Sequence, residues 1–294
     1  MTAAWTNYYA PDNLADALQI LQRYDGRARV VGGGTDLLVE SRRGLRRPFA
    51  AIVDATRIGG LDRIDDDGEH IVIGCGVTHT TIVNDARIVR YGTCLSESCG
   101  VIGGPQVRNT GTLAGNVAHA LPAGDGTIGI LALGGEIEIA ATEGTRWMAA
   151  KDSFAGPGRS KIDREREILT RLRFRKTSDN EGSAFHRVMR PQGLCLPIVS
   201  MAARLQADGD TITAAGISMG PVGPVPWFAE PVARVLVGHP ATPSRFEKAA
   251  EVALSHVSLR ASKYRATREY RETMIRTWLP VILATAARRA GAAP

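Results

Sequence analysis

The residues best suited to chemistry in this chain lie in two glycine-rich stretches. The first is Gly32-Gly33-Gly34-Thr35-Asp36-Leu37, within VVGGGTDLL. It follows a predicted strand over 28–31 and precedes a short predicted helix that Thr35 can cap and that contains Asp36, Leu37, Leu38 and Val39. Glycines let the backbone approach a ligand and take positive φ. Consecutive N–H groups then converge on an anion, and a helix N-terminus adds partial positive charge. A phosphate or pyrophosphate suits such a site. The spacing is not a dinucleotide G-x-G-x-x-G fingerprint, because Leu37 stands where the last glycine belongs. Nor is it a Walker loop, since no Gly-Lys-Ser/Thr follows.

The second stretch runs Gly103-Gly104-Pro105-Gln106-Val107-Arg108-Asn109-Thr110-Gly111-Thr112-Leu113-Ala114-Gly115-Asn116. Its glycines are mixed with short polar side chains, which suits a backbone wrapped around a polar ligand. Asp125 follows in Pro122-Ala123-Gly124-Asp125. That carboxylate could accept from a sugar or ribityl hydroxyl, or cap a helix. A long loop over 100–126 this rich in glycine is costly to order, and ligand binding accounts for it. Two phosphate-type loops about 70 residues apart predict a dinucleotide held between two domains. Spacing alone does not say which dinucleotide.

Other reactive side chains are sparse. Cys75, Cys94, Cys99 and Cys195 show no C-x-x-C pair and predict reduced, structural thiols without a metal or cluster. Any redox role then needs an organic cofactor. His79 and His119 read as loop or cap residues. The net charge of +6 is concentrated in Arg42, Arg43, Arg46 and Arg47, and in Arg260, Lys263, Arg265, Arg268, Arg271 and Arg276. Aromatic residues are only 5%, so both clusters are expected to be solvated or protein-facing surfaces rather than nucleic-acid sites. Apolar runs are too short for a membrane span, and the first residues show no secretory pattern. A cytoplasmic location is expected.

The elements that must carry these loops are legible in outline. Asp12 or Asn13 can cap a helix with Leu14, Ala17, Leu18 and Leu21 at helical spacing. Strands are expected at 28–31, 50–54, 70–76, 136–140 and 167–174, with a helix at 78–86. The polar run 176–183 reads as a break. Beyond it come a strand at 184–190, a hairpin turning at Ala207-Asp208-Gly209-Asp210, and helices near 228–237, 243–256 and 264–290. The fold class is α+β: a two-subdomain module over 1–57 and 58–177, then a small domain over 178–294 with a three-stranded antiparallel sheet and helices.

The chain resembles the FAD-binding medium subunit of the molybdenum hydroxylases, the xanthine dehydrogenase and carbon monoxide dehydrogenase family, nearly from end to end. Tyr9-x-Pro11-x-x-Leu14-x-x-Ala17-Leu18, VVGGGTDLL, Val53-Asp54 through Gly59-Gly60-Leu61, and Ile73-Gly74-Cys75-Gly76-Val77-Thr78-His79 follow its pattern. The stretch from Val107 to Asn116 is the most specific match. Arg260-Ala261-Ser262 with Tyr270-Arg271 is similar to its C-terminal helix. The resemblance implies noncovalent FAD. It places Gly32, Gly33, Gly34, Thr35, Asp36 and Leu37 at the diphosphate, and Thr112, Gly115, Asn116 and Asp125 on the second side. Ile102 falls near the flavin or adenine, and Ile168 or Leu169 near the adenine end. The family often carries a lysine beside the isoalloxazine; here His186 or Arg187 occupies that region. The implied role is electron transfer, from the [2Fe-2S] clusters of an iron–sulfur small subunit to an external acceptor. A molybdopterin large subunit would oxidise the substrate, in a dimer of heterotrimers. The alternatives are a self-sufficient FAD-dependent oxidoreductase of the related two-subdomain fold and a flavin-free scaffold.

Overall fold

The computed structural model describes residues 5–45, 48–190, 196–263 and 265–294. Cys195, Arg46 and Arg47 lie outside the described residues.

The first unit runs β1 (Asn7–Tyr9), α1 (Leu14–Tyr24), β2 (Ala28–Val31), α2 (Leu37–Arg42) and β3 (Ala51–Asp54). Asn13, rather than Asp12, caps α1: its Oδ1 accepts from Asp16 N–H at 2.9 Å. Ala17, Leu18, Ile20 and Leu21 form the buried stripe of α1. The strands pair in parallel in the order β1-β3-β2, and β3 is buried throughout. Thr35 does not cap α2. The helix starts at Leu37, and Asp36 precedes it in helical backbone without a capping side-chain bond.

The second unit opens with β4 (Ile64–Asp66) and β5 (His70–Gly74). The expected single helix over 78–86 is two, α3 (His79–Asn84) and α4 (Ala86–Tyr91). Asp85 interrupts it, because its carboxylate accepts from Arg87 and Ile88 N–H and starts a new helix. α5 (Thr93–Gly100) was not legible in the sequence. The glycine-rich stretch is no continuous loop; it contains α6 (Pro105–Arg108), α7 (Leu113–His119) and the start of α8 (Asp125–Ala132). Thr112 caps α7 by accepting from Gly115 N–H at 3.0 Å. Then come β6 (Glu136–Ala141), β7 (Gly144–Ala149), the small hairpin β8 (Phe154–Gly156) and β9 (Arg159–Ser160), and β10 (Ile168–Arg175). The main sheet is antiparallel, in the order β4-β5-β10-β6-β7.

The last third holds β11 (Glu181–Met189), β12 (Pro197–Asp208), β13 (Thr211–Gly220), β14 (Trp227–Phe228), α9 (Glu230–Leu236), α10 (Pro243–His256) and α11 (Arg268–Arg289). The sheet is antiparallel in the order β11-β12-β13-β14, with a two-residue fourth strand beyond the three expected. Its two faces differ in kind. The outer face, with Val199, Met201, Ala203 and Leu205, packs with α9, α10 and α11 in one apolar core. The inner face is small and polar: Ser200, Ala202, Gly216, Ser218 and Gly220. It lies on α8, every residue of which is buried. A Cβ on Gly216 would come within 2.3 Å of Ala132 O, and one on Gly220 within 2.1 Å of Pro122 O, so backbone meets backbone there. Ser218 Oγ donates to Ile128 O at 2.5 Å.

The C-terminal basic cluster is not all surface. Arg271 is 3% exposed and donates to the carbonyls of Ile198 and Pro221. Arg268 and Arg276 pair with Glu272 and Glu251. Among the described residues, no helix is long and apolar enough to cross a membrane.

Candidate functional site

The two glycine-rich stretches meet. A Cβ on Gly33 would come within 1.9 Å of Thr110 O, and one on Gly32 within 2.7 Å of Thr112 Oγ1. Only glycine permits this approach. Gly34 has φ +68°, which also favours glycine. The chain leaves β2 and turns into α2 through 32–36 without bonding its own donors. Among the described residues, no acceptor takes the N–H groups from Gly33 to Leu37; the first to be bonded is Leu38, to Gly34 O at 2.9 Å. Gly33, Gly34, Thr35 and Leu37 are half-buried, and Asp36 is exposed. Partly buried main-chain donors without acceptors favour an anion.

The second stretch is anchored from below. His79 N–H donates to Gly111 O at 3.0 Å, and Thr78 bridges Thr112. Thr80 Oγ1 donates to Asn109 Oδ1 at 2.6 Å. Arg108 Nη1 holds the carbonyls of Ile102 (3.0 Å) and Gly103 (2.9 Å), which fixes the turn carrying the half-buried Ile102. His79 is 2% exposed, and its Nδ1 lies 3.4 Å from Cys99 Sγ. Burial, then the nearby Arg108 charge, pushes the His79 pKa down to about 4, so it is a neutral strut at neutral pH. His119 closes α7 with Nε2 3.4 Å from Glu40 Oε1 of α2. Burial drives the Cys75 and Cys94 thiols up to about 12 and raises Cys99 as well, so none is a nucleophile.

Asn116 and Asp125 hold other parts of the protein. Asn116 Oδ1 accepts from both N–H and Oγ1 of Thr127 at 2.9 Å, fastening α7 to α8. Its amide nitrogen stays available as a donor. Asp125 does not cap α8, whose capping position is Gly124. Instead its carboxylate accepts from Arg187 Nη1 at 2.8 Å and from Ser200 Oγ at 2.5 Å. The two charged side chains are 4% and 8% exposed. Burial raises the Asp125 pKa, against the pull first of Arg187 and then of Ser200. Arg187 Nε is buried without a partner. Ser200 gave no signal in the sequence, being one hydroxyl in an apolar strand.

Strand alternation separates His186 from Arg187. Arg187 faces α8 and Asp125. His186 faces the other way and stacks on Trp278 of α11, with ring centroids 3.8 Å apart and planes at 16°. Burial lowers its pKa. Of the two, Arg187 faces the glycine-rich unit. Ile168 and Leu169 lie in β10, 1% and 7% exposed, with their side chains in the core.

The arrangement suits a long anionic dinucleotide: unbonded N–H groups where the two stretches touch, polar groups on α7, and a buried cation beside α8. FAD fits these residues.

Comparison with known proteins agrees. Residues 4–174 match the family described as the FAD binding domain in molybdopterin dehydrogenase, and 183–286 match the CO dehydrogenase flavoprotein C-terminal domain. The chain is 29% identical to the nicotine 6-hydroxylase medium subunit of Paenarthrobacter nicotinovorans, over 91% of this chain and 92% of that protein. It is also 29% identical to the carbon monoxide dehydrogenase medium chain of Afipia carboxidovorans, with the same coverage of each, 91% and 92%. A crystal structure of the Cu,Mo-CO dehydrogenase, cyanide-inactivated form, contains a chain 28% identical that superposes with a TM-score of 0.91, over 98% of this chain and all of that one. A two-unit flavin fold with a C-terminal sheet, abutting glycine stretches and both matched domains lead to one assignment: the chain belongs to the FAD-binding flavoprotein family of the molybdopterin dehydrogenases, as an oxidoreductase component.

Proposed function

We propose that this chain is the electron-transfer subunit of a heteromeric molybdenum hydroxylase. It accepts electrons from [2Fe-2S] clusters on an iron–sulfur small subunit and passes them to an external acceptor. A molybdopterin large subunit carries the substrate chemistry, and the complex is a cytoplasmic dimer of heterotrimers. The division of the chain at 1–57, 58–177 and 178–294 follows that reading. The supporting observation is the line of unbonded N–H groups at Gly33–Leu37, which begins where Gly33 presses against Thr110 and Gly111.

Bound FAD supplies the conversion between single-electron delivery and a two-electron acceptor. The chain's own residues do the rest. Gly32, Gly33, Gly34, Thr35, Asp36 and Leu37 bind the diphosphate through the main chain. Thr112, Gly115 and Asn116 hold the opposite side, and Asp125, whose two carboxylate oxygens are taken by Arg187 and Ser200, acts there through Arg187. Ile102 covers an apolar face, and the segment carrying Ile168 and Leu169 lies toward the adenine end. Arg187 presents a permanent cation to the isoalloxazine, where it favours the reduced anionic form.

The test is flavin binding by the purified chain. Replacement Gly33→Val is expected to weaken FAD binding at least a hundredfold in a fluorescence titration, because the added carbons drive the two stretches apart. Thr112→Ala, a milder change, is expected to weaken it about tenfold. Unchanged affinity in both would overturn the loop assignment. Isolation of the native protein as a lone, fully active oxidoreductase, without molybdenum or iron, would overturn the subunit reading.

A further inference from the structure

Strand β11 is an edge strand, and two of its outward main-chain groups are held by side chains from two other elements. Phe185 N–H donates to Glu97 Oε2 of α5 at 2.8 Å. Ser183 O accepts from Arg289 Nη1, in the last turn of α11. Glu97 Oε1 and Arg289 Nη2 complete the ring at 2.7 Å. Beside it, Cys94 N–H donates to Ser183 Oγ at 3.1 Å. An exposed ion pair alone is worth little. This one ends on the backbone of an edge strand, so it fixes where that strand lies against α5. Two residues farther along, on the same side, Arg187 meets Asp125. At about 3.3 Å per residue, Phe185 and Arg187 lie about 7 Å apart with their side chains on one face of β11, so the edge contacts sit directly beside the Arg187 site.

We propose that Glu97 and Arg289 are positioning residues: their latch on Ser183 and Phe185 holds the edge strand β11 against α5 and so keeps Arg187 at the flavin. This rests on the reading that Arg187 faces the bound flavin. It gives the final turn of the C-terminal helix a part in flavin binding.

The experiment uses the full chain with FAD and reads two quantities, the FAD dissociation constant and the flavin reduction potential. Glu97→Ala is expected to weaken FAD about tenfold and to make the potential more negative, since the cation retreats. Glu97→Gln keeps an acceptor for Phe185 N–H and is expected to restore most of the affinity. Glu251→Ala, which breaks the Arg276 pair on the same helix, is expected to change neither. If Glu97→Ala lowers the melting temperature but leaves both readings at their wild-type values, the latch is merely structural and the proposal fails. The double variant Arg187→Gln with Asp125→Asn separates the two ideas. A potential unmoved by it removes the flavin from Arg187, and the latch proposal with it. A potential moved by it but not by Glu97→Ala refutes the latch alone.

Discussion

At Asp125 and Arg187 two charges sit in a place where water does not reach them. Removing one partner strands the other, at a cost of about 3–5 kcal/mol. Arg187→Met is therefore expected to lower unfolding stability by about that amount, read from urea midpoints at neutral pH. Arg187→Met combined with Asp125→Leu should recover most of it. A single variant as stable as wild type would mean that the pair is not buried in solution. His79 gives the pH counterpart. Its pKa in the fold is about 4, below the ordinary 6.5, so folding favours the neutral ring. The stabilisation is complete above pH 6.5, declines as pH falls toward 4, and stays lost below it. The shift corresponds to about 3 kcal/mol. Unfolding at pH 7 and pH 4.5 should show this loss in the wild type and much less of it in His79→Gln. At this scale the glycines and Asp125 were visible in the sequence, because their types are unusual for their settings. Their partners were not. Ser200 and Arg187 reach Asp125 across 75 and 62 residues of sequence, and no local pattern encodes such a pairing.

Elements show a similar division. Regular periodicity marked α1, α10, α11 and the β12–β13 hairpin, since each buries one face or stripe. Failures came where side chains took over from periodicity. Asp85 broke one helix into two by capping the second. Thr112 built a helix inside a presumed loop, and α5 was missed because its buried side is made of Cys94, Leu95, Ser98 and Cys99 rather than a clear apolar stripe. The contact of α8 with β13 is the sharpest case, since it depends on the absence of side chains. Gly216→Val places carbons against Ala132 O and is expected to destabilise by about 3 kcal/mol, at the upper end of ordinary overpacking. Gly223, with open space around it, provides the control. Gly223→Ala should stay within about 0.5 kcal/mol in the same thermal-melt series. Equal effects would mean that α8 and β13 are not in backbone contact.

Across the whole molecule, the glycine-rich unit and the C-terminal sheet share the helix between them. Ala202 of β12 belongs to the core of the first unit, although its neighbours Met201 and Ala203 belong to the second. The polar run near 176–183 falls where one matched stretch ends and the next begins, 4–174 and 183–286. The mutual dependence of the two parts was not legible, because α8 reads simply as a short apolar helix. The consequence concerns time. During synthesis, α8 leaves the ribosome well before β12 and β13, its cover on one side. At about 5–20 residues per second, the remaining chain takes several seconds to tens of seconds to follow. Throughout that interval the two glycine stretches have already emerged and are free to meet, while one side of α8 stays wet. The C-terminal sheet closes on α8 afterwards, as the last layer of the fold.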